Sequence, residues 1–173
     1  DPVGRFTDFS GNGYHLLNVN SADRVIFNES GGLRWIAGDG VSKWLGNLDI
    51  RLTTTNTIVV ACQLVNSPSD KYLLSVNLFN TAIRAITAAQ WRSNTEAGAL
   101  TQISASTGSP EVLTLQRTSN SLLSGRLNGV AQQSFDPFDQ TPNGLALFTQ
   151  QTVSWSTGGA HKVYGLAAFD KIL

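Results

Sequence analysis

The sequence predicts an all-β domain in which two antiparallel sheets pack face to face, most economically as a jelly-roll sandwich. The chain has 173 residues, which suits one domain and is short for two. Short apolar runs alternate with segments rich in Ser, Thr, Asn, Gly and Pro, and no long helical pattern occurs. Hydrophobic residues make up 41% of the chain, enough for a core between two sheets. We therefore expect a single domain over residues 1–173.

The expected strands are spread along the whole chain. They are Tyr14–Val19, Arg24–Phe27, Leu33–Ala37, Lys43–Leu45, Thr57–Val65, Tyr72–Leu78, Ala82–Thr87, Leu100–Ser104, Val112–Thr118, Ser121–Leu127, Val130–Phe135, Leu145–Thr149 and Lys162–Asp170. In Thr57–Val65, alternation places the apolar side chains on one face, so the only cysteine, Cys62, is predicted to lie in the core. Asn128-Gly129 predicts a type I′ hairpin turn, since both residues tolerate positive φ.

Charge and composition exclude some classes of function. Lys plus Arg and Asp plus Glu number 12 each, and no basic run occurs, so nucleic-acid binding is not expected. No apolar run approaches the roughly 18 residues of a membrane-spanning helix. Charged residues are only 14% of the chain, and such a neutral polar composition is typical of secreted and virion β-proteins. We therefore expect an extracellular or virion location. Because the chain begins with Asp1-Pro2 and lacks methionine, we also expect it to be a fragment of a longer protein.

Several segments resemble a known family in their order and spacing. They are Asp8–His15 (DFSGNGYH), Gly38–Leu45 (GDGVSKWL), Asn56–Val60, Leu127–Gly129 and Lys162–Asp170. Together they resemble laminin-G-like domains, which belong to the concanavalin A-like lectin and glucanase jelly rolls. Ser21–Arg24, after the opening turn, makes the chain most similar to the versions in bacteriophage tail and virion proteins. The resemblance implies a two-sheet jelly roll but no single activity, because this fold carries lectins, glycosidases, adhesion modules and structural domains.

The acidic residues do not predict catalysis. Glycoside hydrolysis needs two carboxylates across a cleft, and hydrolases of this fold resemble one another in a strand with closely spaced acids. The three glutamates, Glu29, Glu96 and Glu111, have no acidic residue two to five positions away. No Gly-x-Ser-x-Gly motif occurs either. We expect no catalytic residue.

A structural calcium ion is the one cofactor that the sequence suggests. Asp8 and Asn12 in the opening turn could supply two oxygen ligands. The alternative is that both side chains tie the turn to its own backbone. Calcium-binding members of the family often carry an acidic residue near the start of the closing strand, where this chain has Gly165. No His/Cys cluster suggests a transition metal.

The tryptophans supply the candidate ligand-binding residues. Trp35 lies in an apolar strand and is predicted to be core, and Trp44 is predicted to be half-buried. Trp91, with Arg92 beside it, and Trp155 lie among polar, loop-forming residues. We expect Trp91, Arg92 and Trp155 to bind a ligand, with a lid over the core as the alternative for each tryptophan.

The sequence favours a non-catalytic adhesion module of a phage virion or secreted protein that recognises a surface glycan. One alternative is a structural virion domain, for capsid decoration or tail assembly, with protein contacts only. A second is a substrate-targeting module of a carbohydrate-active enzyme. The parent protein could bring the domain into a homo-oligomer, for example a trimer.

Overall fold

The computed structural model describes residues 1–65, 71–76, 81–87, 90–94, 101–104, 108–119, 122–135, 143–149 and 161–173. The strands in these ranges are β1 Pro2–Val3, β2 Arg5–Phe6, β3 Leu16–Leu17, β4 Val25–Ser30, β5 Leu33–Ala37, β6 Leu45–Arg51, β7 Asn56–Gln63, β8 Lys71–Val76, β9 Thr81–Thr87, β10 Gln90–Asn94, β11 Thr101–Ser104, β12 Pro110–Ser119, β13 Leu122–Leu127, β14 Val130–Phe135, β15 Asn143–Leu147 and β16 Lys162–Phe169. One 3-10 turn, Ser21–Asp23, follows the opening loop. No helix within the described ranges has the length and apolar character needed to cross a membrane.

The strands form two antiparallel sheets, which confirms the predicted two-sheet sandwich. Sheet A has the order β1-β4-β5-β16-β7-β12-β13-β14, and sheet B has the order β11-β10-β9-β8-β15-β6-β3-β2. Within sheet A, β16 lies between β5 and β7, so a strand near the end of the chain occupies the middle of the sheet. Its outer surface is the part of the molecule that the next subsection describes.

The core lies between the two sheets and is built by alternation. Along β7, Ile58, Val60 and Cys62 are buried, and their neighbours Val59 and Ala61 are half-buried on the other side. In β12, Leu113 and Leu115 pair with Val60 and Ile58 and point the same way. Sheet B contributes buried leucines from β6, β8 and β15. The core position predicted for Cys62 is confirmed, and burial raises the pKa of its thiol.

The predicted hairpin is also confirmed. Asn128 and Gly129 have φ values of 50° and 81°, and Leu127 pairs with Val130 across the turn. The Asn128 side chain fixes the hairpin to the neighbouring strand, because its Oδ1 accepts a hydrogen bond of 2.8 Å from the Val112 N–H.

Some strand boundaries differ from the prediction because side chains hold the backbone in loops. The strand expected at Tyr14–Val19 is only β3, since the Asn18 amide donates to the carbonyls of Asp23 and Trp44. The strand expected at Lys43–Leu45 begins at Leu45, because the Asp39 carboxylate holds the preceding loop. The short strands β1 and β2 and the polar strand β10 were not predicted.

Candidate functional site

The structure places the predicted binding residues Trp91 and Arg92 in a strand, which corrects the loop context read from the sequence. Both lie in β10, where Trp91 pairs with Ala85 of β9 and Ile103 of β11, and Arg92 pairs with Arg84 and Gln102. Polar residues in an interior strand of sheet B gave no period-2 signal, so the pattern favoured a loop. Their role in ligand binding stays a prediction. Trp155 lies outside the described residues.

Asp8 holds the opening loop through its own backbone. Its Oδ1 accepts a hydrogen bond of 2.8 Å from the Ser10 N–H, and its Oδ2 accepts from the Ser10 hydroxyl and the Tyr14 N–H, both at 2.9 Å. The backbone hydrogen bond from Ser10 is the largest of the effects that lower the pKa of Asp8. The Asn12 N–H donates to the Ser10 hydroxyl at 3.2 Å. The carboxylate therefore performs the turn-fixing role that was the alternative to calcium.

A calcium ion at Asp8 and Asn12 remains a prediction. Calcium takes six to eight oxygen ligands, usually including several carboxylates. Within the described ranges, no three His, Cys, Asp or Glu residues form a group that could hold a metal ion. Calcium would have to share the Asp8 carboxylate with the three donors that it already accepts from. Gly165, at the place where the family's calcium binders carry an acid, lies in the middle of β16.

Trp35 does not lie in the core, contrary to the prediction from its apolar strand. Its neighbour Ile36 is buried and points to sheet B, so alternation places Trp35 on the outer surface of sheet A, where it is half-buried. Its ring lies 6.1 Å from that of Tyr164, with an angle of 60° between their planes. The Lys162 Nζ lies 4.7 Å from the centre of the Trp35 ring. Trp44 is half-buried, as predicted.

A gap between two strands opens a groove beside these aromatic rings. β16 pairs with β5 only at Lys162–Ala37 and Val163–Ile36, so the first residues of β5 are not hydrogen-bonded to it. The groove has a volume of about 440 Å³. Its lining residues are Gly32, Leu33, Arg34, Ala61, Pro110, Glu111, Val112 and Tyr164. We call this surface the sheet A groove.

Small residues form the floor of the sheet A groove. Gly165 pairs with Ala61 across β16 and β7, and Ala61 pairs with Val112 of β12. A Cβ atom built on Gly165 would meet no other atom within 4 Å, so the space above the strand is open. A larger residue at either floor position would fill it. The groove therefore depends on small side chains in the centre of a sheet.

A β-bulge positions Tyr164 at the edge of this floor. The register of β16 against β7 shifts between Val163 and Gly165, which leaves Tyr164 as the extra residue. Bulges of this kind redirect a side chain. The Tyr164 hydroxyl donates a hydrogen bond of 2.7 Å to the Gln63 Oε1. Burial raises the pKa of Tyr164, so the phenol stays neutral and remains a donor near neutral pH.

The sequence contained a partial signal for this groove. The alternation of Leu33–Ala37 with a buried Ile36 places Trp35 outward, and Gly165 interrupts an otherwise regular closing strand. The gap between β5 and β16 arises from tertiary pairing, which single-sequence periodicity does not report.

Comparison with known proteins shows similarity at the level of the fold. No family model matches the chain, and no curated protein matches its sequence. A Trypanosoma rangeli sialidase solved with 2,3-difluoro-KDN superposes with a TM-score of 0.66 at 13% identity over 98% of this chain. The chain spans 30% of that sialidase. The binding domain of Paraclostridial Mosquitocidal Protein 1 gives a TM-score of 0.66 at 12% identity, covering 96% of this chain and 46% of that one.

A smaller lectin-like neighbour covers most of its own length. The Ruminococcus gnavus IT-sialidase CBM40, solved with alpha2,3 sialyllactose, gives a TM-score of 0.53 at 14% identity. The match covers 75% of this chain and 92% of the CBM40. At these identities the similarity concerns architecture alone. The chain is an antiparallel two-sheet β-sandwich of the lectin-like kind.

Proposed function

We propose that this chain is a non-catalytic glycan-binding module and that the sheet A groove is its binding surface. The observation that carries the proposal is an open groove of about 440 Å³ with an aromatic side and a floor of small residues. Ligand pockets of about 300 to 1,000 Å³ with a few fixed polar groups are typical of small-molecule sites. The volume would accommodate a sugar unit of a larger glycan.

The chemistry of the groove suits a sugar ring. Sugars present apolar C–H faces that pack on aromatic rings, and hydroxyl groups that need hydrogen-bonding partners. Tyr164, supported by Trp35, supplies the aromatic surface. The Tyr164 hydroxyl and the Gln63 amide are already bonded to each other, which fixes both groups before any ligand arrives. The open floor over Gly165 allows close approach to the strand backbone.

The setting of the module follows from the resemblance and is part of the proposal. The laminin-G-like motifs point to adhesion by a phage virion or secreted protein to a surface glycan. The similarity to a CBM40 and to a toxin binding domain is compatible with binding rather than catalysis. A structural virion domain, or a targeting module of a carbohydrate-active enzyme, would use the same fold with other partners.

Gly165→Val gives the sharpest test of the groove. No φ in the left-handed region is reported for Gly165, and its Cβ position is open, so valine fits the strand and has a higher β propensity. We expect glycan binding on an array to be lost while the melting temperature stays the same or rises. Ala167→Val is the matched control, because it enlarges a half-buried residue further along β16 and outside the groove lining.

The result also separates the groove from the tryptophans predicted first. If Gly165→Val binds like the parent while Trp91→Ala or Trp155→Ala loses binding without loss of stability, the site lies at those tryptophans and the groove is excluded. Failure of the unsubstituted chain to bind any glycan, together with a defined oligomer by light scattering, would favour the structural alternative.

A further inference from the structure

We propose that the sheet A groove selects an acidic sugar and that Arg34 binds its anionic group, a carboxylate or a sulfate. The inference rests on the proposed glycan-binding function and adds the chemical class of the ligand. Arg34 lines the groove, and its side chain is 71% exposed. It is therefore both adjacent to the ligand space and accessible to it.

The guanidinium of Arg34 keeps hydrogen-bonding capacity. Its Nε donates to the Glu29 Oε2 at 3.2 Å. Among the residues that the structure describes, neither of its Nη groups has a hydrogen-bond partner. Arginine presents five N–H donors in a planar arrangement that matches the oxygens of carboxylate and of sulfate-like anions. Glu29 therefore restrains the side chain beside the groove and leaves two nitrogen atoms for a ligand.

A second positive charge lies beside the aromatic side of the groove. Lys162 stands over Trp35, whose ring is next to that of Tyr164. Within the described part of the chain, the Arg34–Glu29 contact is the only ion pair, so Lys162 has no carboxylate partner there. Two cations thus border the groove on different sides, which favours an anionic ligand over a neutral one of the same shape.

The acidic residue among the lining residues does not oppose this. Glu111 pairs in register with Cys62, whose side chain is in the core, and it is only 3% exposed. Its carboxylate is therefore turned away from solvent. The exposed carboxylate nearest to Arg34 in the described structure is that of Glu29, and it is already used in the ion pair.

The experiment compares three oligosaccharides that differ only in the terminal sugar: one neutral, one carrying a glucuronic acid and one carrying a sulfate. We expect the parent chain to bind at least one acidic form about tenfold more tightly than the neutral one, as a charged hydrogen-bonded contact would give. That preference should weaken as salt is raised. The carboxylate and sulfate probes show which anion is bound.

Variants assign the preference to Arg34. Arg34→Gln should reduce acidic binding to the neutral level, whereas Glu29→Gln should keep or increase the preference because it removes a competing carboxylate. Arg126→Gln makes the same charge change at an exposed position of β13, outside the groove lining, and should leave the preference intact.

Each outcome decides a different part of the proposal. Equal binding of neutral and acidic probes overturns the anion selection and leaves glycan binding standing. Equal losses in Arg34→Gln and Glu29→Gln show that the ion pair is structural, and they also overturn the role of Arg34. Absence of binding to all three probes and to a glycan array overturns the proposed function itself.

Discussion

At the scale of single residues, two aspartates hold two loops at one end of the sandwich. Asp39 Oδ1 accepts hydrogen bonds from the backbone of Val41, Ser42 and Lys43, and its Oδ2 accepts from the Ser42 hydroxyl. Partial burial raises the pKa of Asp39, but these hydrogen bonds outweigh it and lower the pKa to about 2. A carboxylate of this kind stabilises the folded state through its charge.

The lowered pKa of Asp39 predicts a stability change on the acid side. A carboxyl group with a lower pKa in the folded state stabilises the protein above its unfolded pKa, near 3.8, and this stabilisation is lost as the pH falls toward about 2. Asp39→Asn should therefore unfold at lower denaturant than the parent at pH 7, and the difference should shrink between about pH 4 and pH 2. Denaturant titrations across that window measure it.

Asp49→Asn provides the control for that experiment. The Asp49 carboxylate accepts no hydrogen bond from the described residues, so its loss should leave the acid-side profile unchanged. A constant difference between Asp39→Asn and the parent over the whole window would contradict the role given to the Asp39 charge.

Calcium binding at Asp8 and Asn12 has a separate test. An ion that binds only the folded chain raises stability by mass action, so a chelator should lower the melting temperature if the site is real. The Asp8→Asn variant should then lose its sensitivity to chelator. An unchanged melting temperature of the parent with and without chelator would leave Asp8 with the loop-fixing role alone.

The residue scale also shows where sequence reasoning succeeds and fails. Cys62 could be placed in the core because a run of β-branched and apolar residues surrounds it on the buried face. Trp35 could not be placed correctly, because an aromatic residue in an apolar strand has the same composition on either side of the sheet. The register of Ile36 against Val163, which decides its side, is a tertiary pairing.

At the scale of elements, the β13–β14 hairpin makes a direct prediction. Gly129 has a φ of 81°, which a β-branched residue tolerates poorly. Gly129→Val should therefore destabilise the chain by about 1–3 kcal/mol. Thermal or denaturant unfolding measures the change, with Val130→Thr as a control that keeps a β-branched residue in the adjoining strand. Identical unfolding of Gly129→Val and the parent would show that the turn is not required in this conformation.

Strands with strong alternation could be predicted, and strands fixed by their neighbours could not. β7 and β14 follow their predicted ranges closely because each has a clear period of two or a clear turn at its end. β10 carries mainly polar residues and is defined by its pairing with β9 and β11. The candidate groove escaped prediction for the same reason, since it arises where β5 and β16 stop pairing.

At the scale of the whole molecule, the positions of the glutamates bear on catalysis. Glu29 is in an ion pair on the surface and Glu111 is buried behind sheet A, while Glu96 lies outside the described residues. A glycosidase needs two carboxylates facing one sugar. We expect the purified chain to release no reducing ends from a panel of polysaccharides. Release above that of a heat-denatured control would contradict a purely binding role.

The central place of β16 in sheet A has a consequence for biosynthesis. β5 and β7 cannot join until residues 162–169 have left the ribosome, although both strands are made much earlier. Until then each presents an unpaired backbone edge that can associate with another nascent chain. Contacts between strands so distant in sequence also make folding slow. The yield of correctly folded chain should therefore fall when synthesis is crowded or truncated before β16, and co-expressed chaperones should restore the first of these losses.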